Sequence, residues 1–237
     1  MSLSYRSTTT LFAVAMIASA HACSGSGPER WPAETLASTP TPINPRALLE
    51  RAGRAMEEVS SFEFRLDHES GGTVLMPNLV IREIKGQVVR PDKISIEFKG
   101  RFGNFAVKGS LISVGDTSYM TNPLTDAWEE IPPDVSPVRF FNKIADMMSQ
   151  VTQASAASDG NDVLRIRGRL PAKTLEPLVG PTVTDATTAV ELVIHSSKFY
   201  LVEAIFDGRV MESDDADTVR RITLLRFNES FTIEPPE

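Results

Sequence analysis

The chain has 237 residues, one cysteine and three histidines, and its formal net charge is −7. With 41% hydrophobic and 23% charged residues it has the apolar content of an ordinary globular domain. The acidic balance argues against a nucleic-acid partner, and a single cysteine excludes both an internal disulfide framework and a thiolate zinc site.

Residues 1–10 are polar with one cation, Arg6, and residues 11–20 read LFAVAMIASA. About ten apolar residues are too few to span a bilayer but suit the apolar region of an export signal. Ala20-His21-Ala22 then forms an A-x-A cleavage pattern directly before Cys23. The reading is a signal peptide over 1–22 and a mature chain beginning at Cys23. Cleavage removes only Arg6 among charged residues, so the mature chain is one charge more negative. The sole cysteine at that position reads as a lipidation site, where two acyl chains would give stable membrane attachment. The alternative is ordinary cleavage leaving a free Cys23 thiol. Residues 23–44 contain Ser-Gly-Ser-Gly and then STPTPIN, first flexible and then semi-extended, and read as a tether.

The folded domain is expected over 45–237. Asn44 is a helix cap with Pro45 at the first helical position. Leu48, Ala52, Met56 and Val59 recur at helical spacing and predict a one-sided amphipathic helix over 45–59. The following segments alternate with a period of two. Phe62, Phe64 and Leu66 share one face, then Ile94, Ile96 and Phe98, then Phe105 and Val107, with turns at Gly71-Gly72, Pro91-Asp92 and Gly115-Asp116. A short strand is expected around Trp128. Over 137–151 the period changes, and Phe141, Ile144, Met147 and Met148 suit a helix. The polar stretch QASAASDGND is expected to be a surface loop. Further strands are expected at 162–169, 187–195, 199–207 and 218–230, with a short helix at 171–179. The acidic segment 213–217 reads as an exposed hairpin loop, with Asp214-Asp215 as a solvated rim. The charge in TVRRITLLRF reads as protection of a sheet edge. Strands in blocks with helices between them favour an α+β fold, a curved antiparallel sheet with helices on one face.

Catalytic motifs are missing: no Walker loop, no G-x-S-x-G and no H-E-x-x-H. Glu129-Glu130 reads as solvated. His68 and His195 fall on strands without clustering partners, and His21 leaves with the signal. No catalytic residue, metal site or cofactor is expected.

Three stretches carry a resemblance. They are Leu48 to Leu66, the G-x-V-x-R-P-D-K segment Gly86 to Lys93, and the segment Gly115 to Trp128, in which Gly115, Asp116, Tyr119, Pro123, Thr125 and Trp128 stand in place. Together they resemble the LppX/LprAFG lipoprotein family, known best from mycobacteria. Its lipobox is matched only weakly here, with Ala20 where a large aliphatic residue is usual. The resemblance implies a LolA/LolB-like fold: a strongly curved antiparallel β half-barrel with helices covering its concave face. It also implies binding of a lipid or lipoglycan, display on the outer side of the cell membrane through acylated Cys23, and an envelope transport partner that the sequence does not identify.

The apolar side chains facing such an interior are then Leu48, Ala52 and Met56; Phe62, Phe64 and Leu66; Ile94, Ile96 and Phe98; Phe105 and Val107; and Phe141, Ile144, Met147 and Met148. If sheet and helices stand apart they enclose a ligand cavity; if they meet they form a packed core. An envelope sensor or protein-interaction module of the same fold, with a filled interior, is the second reading, and an envelope hydrolase the third.

Overall fold

The computed structural model describes residues 43–122, 124–132, 136–160 and 162–236. The expected signal segment, Cys23 and nearly all of the tether lie outside the described residues, as does Pro123. Asn44 caps helix α1 (Pro45–Glu57): its side-chain oxygen accepts from the backbone N–H of Arg46 (3.0 Å) and Ala47 (3.2 Å). The helix buries Leu48, Leu49, Ala52 and Met56 along one stripe.

Seven strands follow: β1 (Ser61–Ser70), β2 (Thr73–Met76), β3 (Leu79–Val89), β4 (Lys93–Phe102), β5 (Phe105–Val114), β6 (Thr117–Thr121) and β7 (Trp128–Ile131). Two short helices, α2 (Val138–Asn142) and α3 (Ile144–Ser149), lead to β8 (Thr152–Ser158) and β9 (Val163–Pro171). A 3-10 turn (Ala172–Leu175) and α4 (Glu176–Val179) precede β10 (Thr187–His195), β11 (Leu201–Asp207) and β12 (Val219–Leu225). Among the described residues the twelve strands form one antiparallel sheet, in the order β7-β6-β5-β4-β3-β1-β12-β11-β10-β9-β8, with β2 paired only to β3.

Two meanders therefore meet in the middle, where β1 pairs β12. The first runs outward to the β7 edge; the second starts at the β8 edge and runs back to the centre. The chain must cross from one edge to the other between them, and α2 and α3 make that crossing over one face. Register decides which side chains share that face. Phe64 lies opposite Gly86 and Leu224, Gly86 opposite Ile96, Ile222 opposite Ala204, and Leu192 opposite Ile166. The apolar row is thus continuous across both meanders, and Glu63, Arg65, Lys85 and Glu97 fall on the other face. A Cβ on Gly86 would stand 2.7 Å from Phe64 Cε1, so glycine at this motif position admits the ring. Register shifts between His68 and Ser70, between Ile81 and Glu83 and between Thr152 and Ser155 help bend the sheet.

Several expectations are corrected. The polar stretch after α3 is loop only at its end: Thr152–Ser158 form edge strand β8, whose Ala154 and Ala156 pack on the core. Small polar residues gave no visible apolar alternation there. The helix expected over 137–151 is broken at Lys143, and that expected over 171–179 is half 3-10 turn. β12 is central rather than an edge, so its charges serve its neighbours. Its Arg220 is fully buried and forms a bidentate pair with Asp214, Nη1 to Oδ2 at 2.8 Å and Nη2 to Oδ1 at 2.6 Å. Asp214 is therefore an anchor and not a solvated rim residue. It also accepts from the backbone N–H of Val210 (2.9 Å) and Met211 (2.8 Å), closing the β11–β12 connection. Burial pushes its carboxyl up, but the Arg220 hydrogen bonds and these two N–H groups outweigh burial and hold it below the usual carboxylate range.

Asp214→Asn, which leaves Arg220 buried without its counter-charge, is expected to destabilise the fold by about 3–5 kcal/mol in denaturant titration. Replacing both partners by Leu and Met is expected to recover only part of this. The Val210 and Met211 N–H groups still lose their acceptor, at about 1–3 kcal/mol.

Candidate functional site

The inner face of the sheet and the helices come together directly. Leu48, Ala52 and Met56 of α1, Phe62, Phe64 and Leu66 of β1, Ile94 and Ile96 of β4, and Phe141, Ile144, Met147 and Met148 of α2–α3 all join one buried cluster. Phe141 is its centre. Its ring lies 4.3 Å from that of Phe64 and 5.6 Å, edge-on, from that of Phe62. Phe62, Met56, Phe141 and Met148 are fully buried. Of the two arrangements open to the sequence, this structure shows the packed one, with protein side chains filling the space beneath the helices.

The remaining nominated residues lie elsewhere. Phe98 belongs to a second, smaller cluster with Leu79, Ile81 and Met120, and Val107 packs half-buried beside it. Phe105 is 74% exposed at the start of β5, where the β4–β5 turn lifts it clear of the interior; it is no part of the enclosed surface. The sequence reading did not nominate the second meander. Ile166, Leu192, Ile194, Phe206, Ile222 and Leu224 complete the same wall. Their period-two pattern was visible, but their pairing to β1 through β12 was not.

Arg90 of the R-P-D-K segment ties the helices to the sheet. One guanidinium nitrogen donates to the Met56 and Val59 carbonyls (the latter 3.0 Å), at the end of α1, and the other donates to the Phe141 carbonyl at 2.6 Å. One side chain from the rim of β3 thus satisfies carbonyls at the C-terminal ends of both α1 and α2. Burial lowers its pKa and Glu57 opposes that, and an arginine stays charged regardless. By contrast, the cap residues of α2 and α3, Pro137 and Lys143, make no side-chain cap bond, and only Ser136 Oγ accepts from the Val138 N–H, at 3.4 Å. The hold of α2 and α3 on the rest of the fold is apolar contact, this clamp, a hydrogen bond from Asn142 Nδ2 to the Pro91 carbonyl of the β3–β4 turn (2.5 Å), and one from Thr174 Oγ1 to Gln150 Oε1 at the end of α3 (3.0 Å). A groove of about 470 Å³ runs along the seam of α1, α3 and β8, lined by Leu49, Gly53, Ala145, Val151 and Ala154 and by the charged Arg46, Glu50, Arg54, Glu57 and Asp146.

The polar face has its own recess, of about 1100 Å³, lined by Arg65, Asp67, Glu83, Lys85, Glu97 and Lys99, with the β5 segment Ala106–Ser110 and Asp126. Cross-strand pairs Lys85–Glu97 and Lys99–Glu83, both 2.8 Å, order its floor. Among the described residues no group of three or more His, Cys, Asp or Glu is placed to hold a metal ion, and no helix is long and apolar enough to cross a membrane.

These features define an α+β half-barrel: an open antiparallel sheet with an apolar inner wall and a helical cover. A model of the LppX_LprAFG lipoproteins matches residues 44–233, and the chain belongs to the LppX_LprAFG lipoprotein family. The structure of LprF from Mycobacterium bovis aligns with a TM-score of 0.63 at 16% identity, over 83% of this chain and 99% of that one. Lipoprotein LppX of Mycobacterium tuberculosis aligns at 0.55 and 16% identity, over 80% of this chain and 98% of that one. A LolA-superfamily protein from Nitrosomonas europaea aligns at only 0.29, too low to add weight. No curated protein sequence matches.

Arg90→Leu is expected to destabilise the fold by about 2–4 kcal/mol, because three carbonyls lose a charged donor. Amide hydrogen exchange within α2 and α3 is expected to accelerate more than that in β1 or β12.

Proposed function

We propose that this lipoprotein carries a lipid or lipoglycan within the cell envelope, holding acyl chains between the sheet and the α2–α3 cover. The observation that carries this reading is the form of the cover. The wall around Phe62, Phe64 and Phe141 is apolar, yet across one side it is closed only by a five- and a six-residue helix. Two methionines, Met147 and Met148, sit in that cover, and their flexible side chains repack readily around a guest. The role is non-enzymatic: it needs a reversible opening and an apolar wall, and no reacting group.

Magnitudes set the class of guest. Lifting Phe140, Phe141, Ile144, Met147 and Met148 off the wall exposes five buried side chains, at about 1.5–3 kcal/mol each. An acyl chain gains about 0.8 kcal/mol per sheltered methylene, less ordering costs. One chain of about a dozen methylenes only balances the opening. Two long chains, with about thirty, exceed it comfortably. Diacyl lipids are therefore the expected cargo and free fatty acids poor ligands.

The same reading places residues 1–22 as a signal removed on export, Cys23 as the acylated membrane anchor, 23–44 as the tether and 45–237 as the carrier domain. A second reading, an envelope sensor or interaction module, is favoured by one observation, the filled interior. It requires that the cover stay shut.

Mass spectrometry of the purified protein tests both. The carrier reading expects co-purifying diacyl lipid near one per chain, and an intact mass that begins at Cys23 with acyl groups added. It also expects displacement by diacyl lipid and not by a single-chain fatty acid. Protein free of lipid that takes up no fluorescent acyl probe rejects the carrier reading in favour of the interaction module.

A further inference from the structure

One end of the sheet gathers three turns. The Gly103 N–H of the β4–β5 turn donates to the Asn78 carbonyl of the β2–β3 turn at 2.8 Å. The β6–β7 loop lies alongside, since its Asp126 and the first residues of β5 line the same recess. The loop is a built structure: Asn122 Oδ1 accepts from the Leu124 N–H (3.0 Å), Asn122 Nδ2 donates to Glu129 (2.9 Å), and the Asn122 N–H donates to the Ala127 carbonyl (2.8 Å).

These turns display apolar side chains that the fold leaves in water. Phe105 is 74% exposed, Leu124 72% and Trp128 36%. The rest of the large apolar residues are mostly buried, and these three lie along the β4–β7 margin, with Trp128 set by register abreast of Ser110, five residues along β5 from Phe105. Behind them sits the second apolar cluster, with Phe102 and Val107 half-buried at its margin.

The charges around this end are also uneven. On the outer face of β4 and β5, Lys99 pairs in register directly with Lys108, and Arg101 follows two residues on. Like charges opposite each other destabilise a strand pair unless an anion lies over them. Lys99 reaches Glu83 at 2.8 Å, while Arg101 and Lys108 make no ion pair among the described residues. Carboxylates Asp126, Glu129 and Glu130 lie on the β6–β7 loop and on β7, and Asp126 lines the recess that Lys99 and Lys108 share. Exposed aromatic and leucine tips beside unpaired cations are the chemistry that enters a bilayer interface, rings at headgroup depth and cations on lipid phosphates.

We propose that the β4–β5 turn and the β6–β7 loop form a membrane-docking edge, which sets Phe105, Leu124 and Trp128 into an anionic phospholipid surface with Arg101 and Lys108 on its phosphates. This edge orients the domain on the bilayer from which cargo is drawn; in that respect it builds on the carrier reading, but docking itself needs no cargo.

Trp31→Phe makes Trp128 the single tryptophan. The full chain carrying it is mixed with vesicles of phosphatidylcholine and phosphatidylglycerol, with or without brominated acyl chains. Docking predicts that bromination lowers Trp128 emission by about twofold. It predicts that Phe105→Ser with Leu124→Ser, or Arg101→Glu with Lys108→Glu, abolishes the quenching while circular dichroism and the denaturant midpoint stay unchanged. Equal emission from both vesicle types overturns the proposal, and so does quenching that survives either double substitution. Lipid extracted from the same preparations separates the two ideas. Bound lipid with unquenched Trp128 sinks docking alone, and quenched Trp128 without bound lipid sinks carriage alone.

Discussion

The crossing from the β7 edge to the β8 edge governs this fold. Eleven strands side by side would span about 48 Å if flat. The twenty residues between Ile131 and Thr152 include eleven in helices. Pulled taut they reach about 50 Å, barely more than that span, from the helical and extended rises per residue. A flat sheet would leave that link stretched and its apolar side chains without contact. Bending the sheet toward the link shortens the crossing and lets Phe140, Phe141, Ile144, Met147 and Met148 reach the wall. Curvature, helical cover and enclosed interior are thus one solution to one connectivity.

Two arginines hold that solution at different strengths. Arg220 is fully buried, pairs with Asp214, and also donates from Nε to Thr73 Oγ1 at 3.2 Å. It fixes the β11–β12 connection and the start of β2 to the centre of the sheet. Arg90 is only partly buried and grips backbone carbonyls of α1 and α2. One arginine anchors the sheet; the other fastens the cover. A carrier needs that asymmetry, because the wall must persist while the cover moves. The carrier reading also accommodates a filled interior: side chains that shield the wall in the empty protein spare it from water, and the guest replaces their contacts.

The sequence was informative where a local rule had no competitor. Asn44 and Pro45 could only begin a helix, and the alternation of Phe62, Phe64 and Leu66 named the inward face of β1. The G-x-V-x-R-P-D-K segment was visible as a pattern, but its physics was not. Gly86 makes room for a ring on the neighbouring strand, and Arg90 reaches helices far along the chain. β8 was missed because Thr152–Ser158 has only alanines on its inward side. Asp214 was misread because an acidic run looks solvated until a buried arginine six residues on claims one member. Phe105 kept the alternation of its strand, yet it sits at the turn, where the strand has left the core. In each failure a long-range contact, or its absence, overrode a local pattern.

The central claim is that α2–α3 must part from α1 and the wall before a lipid can enter. A covalent lock tests it most directly. A Cβ built on Gly53 would stand 3.5 Å from Ala145 Cβ, a separation suited to a disulfide between α1 and α3. The measurement is uptake of a fluorescent diacyl lipid by the Gly53→Cys/Ala145→Cys protein in a Cys23→Ser background. Uptake that disappears on oxidation and returns on reduction is the expected result. Equal uptake by the oxidised and reduced forms would show that the cover need not open, and would contradict the account.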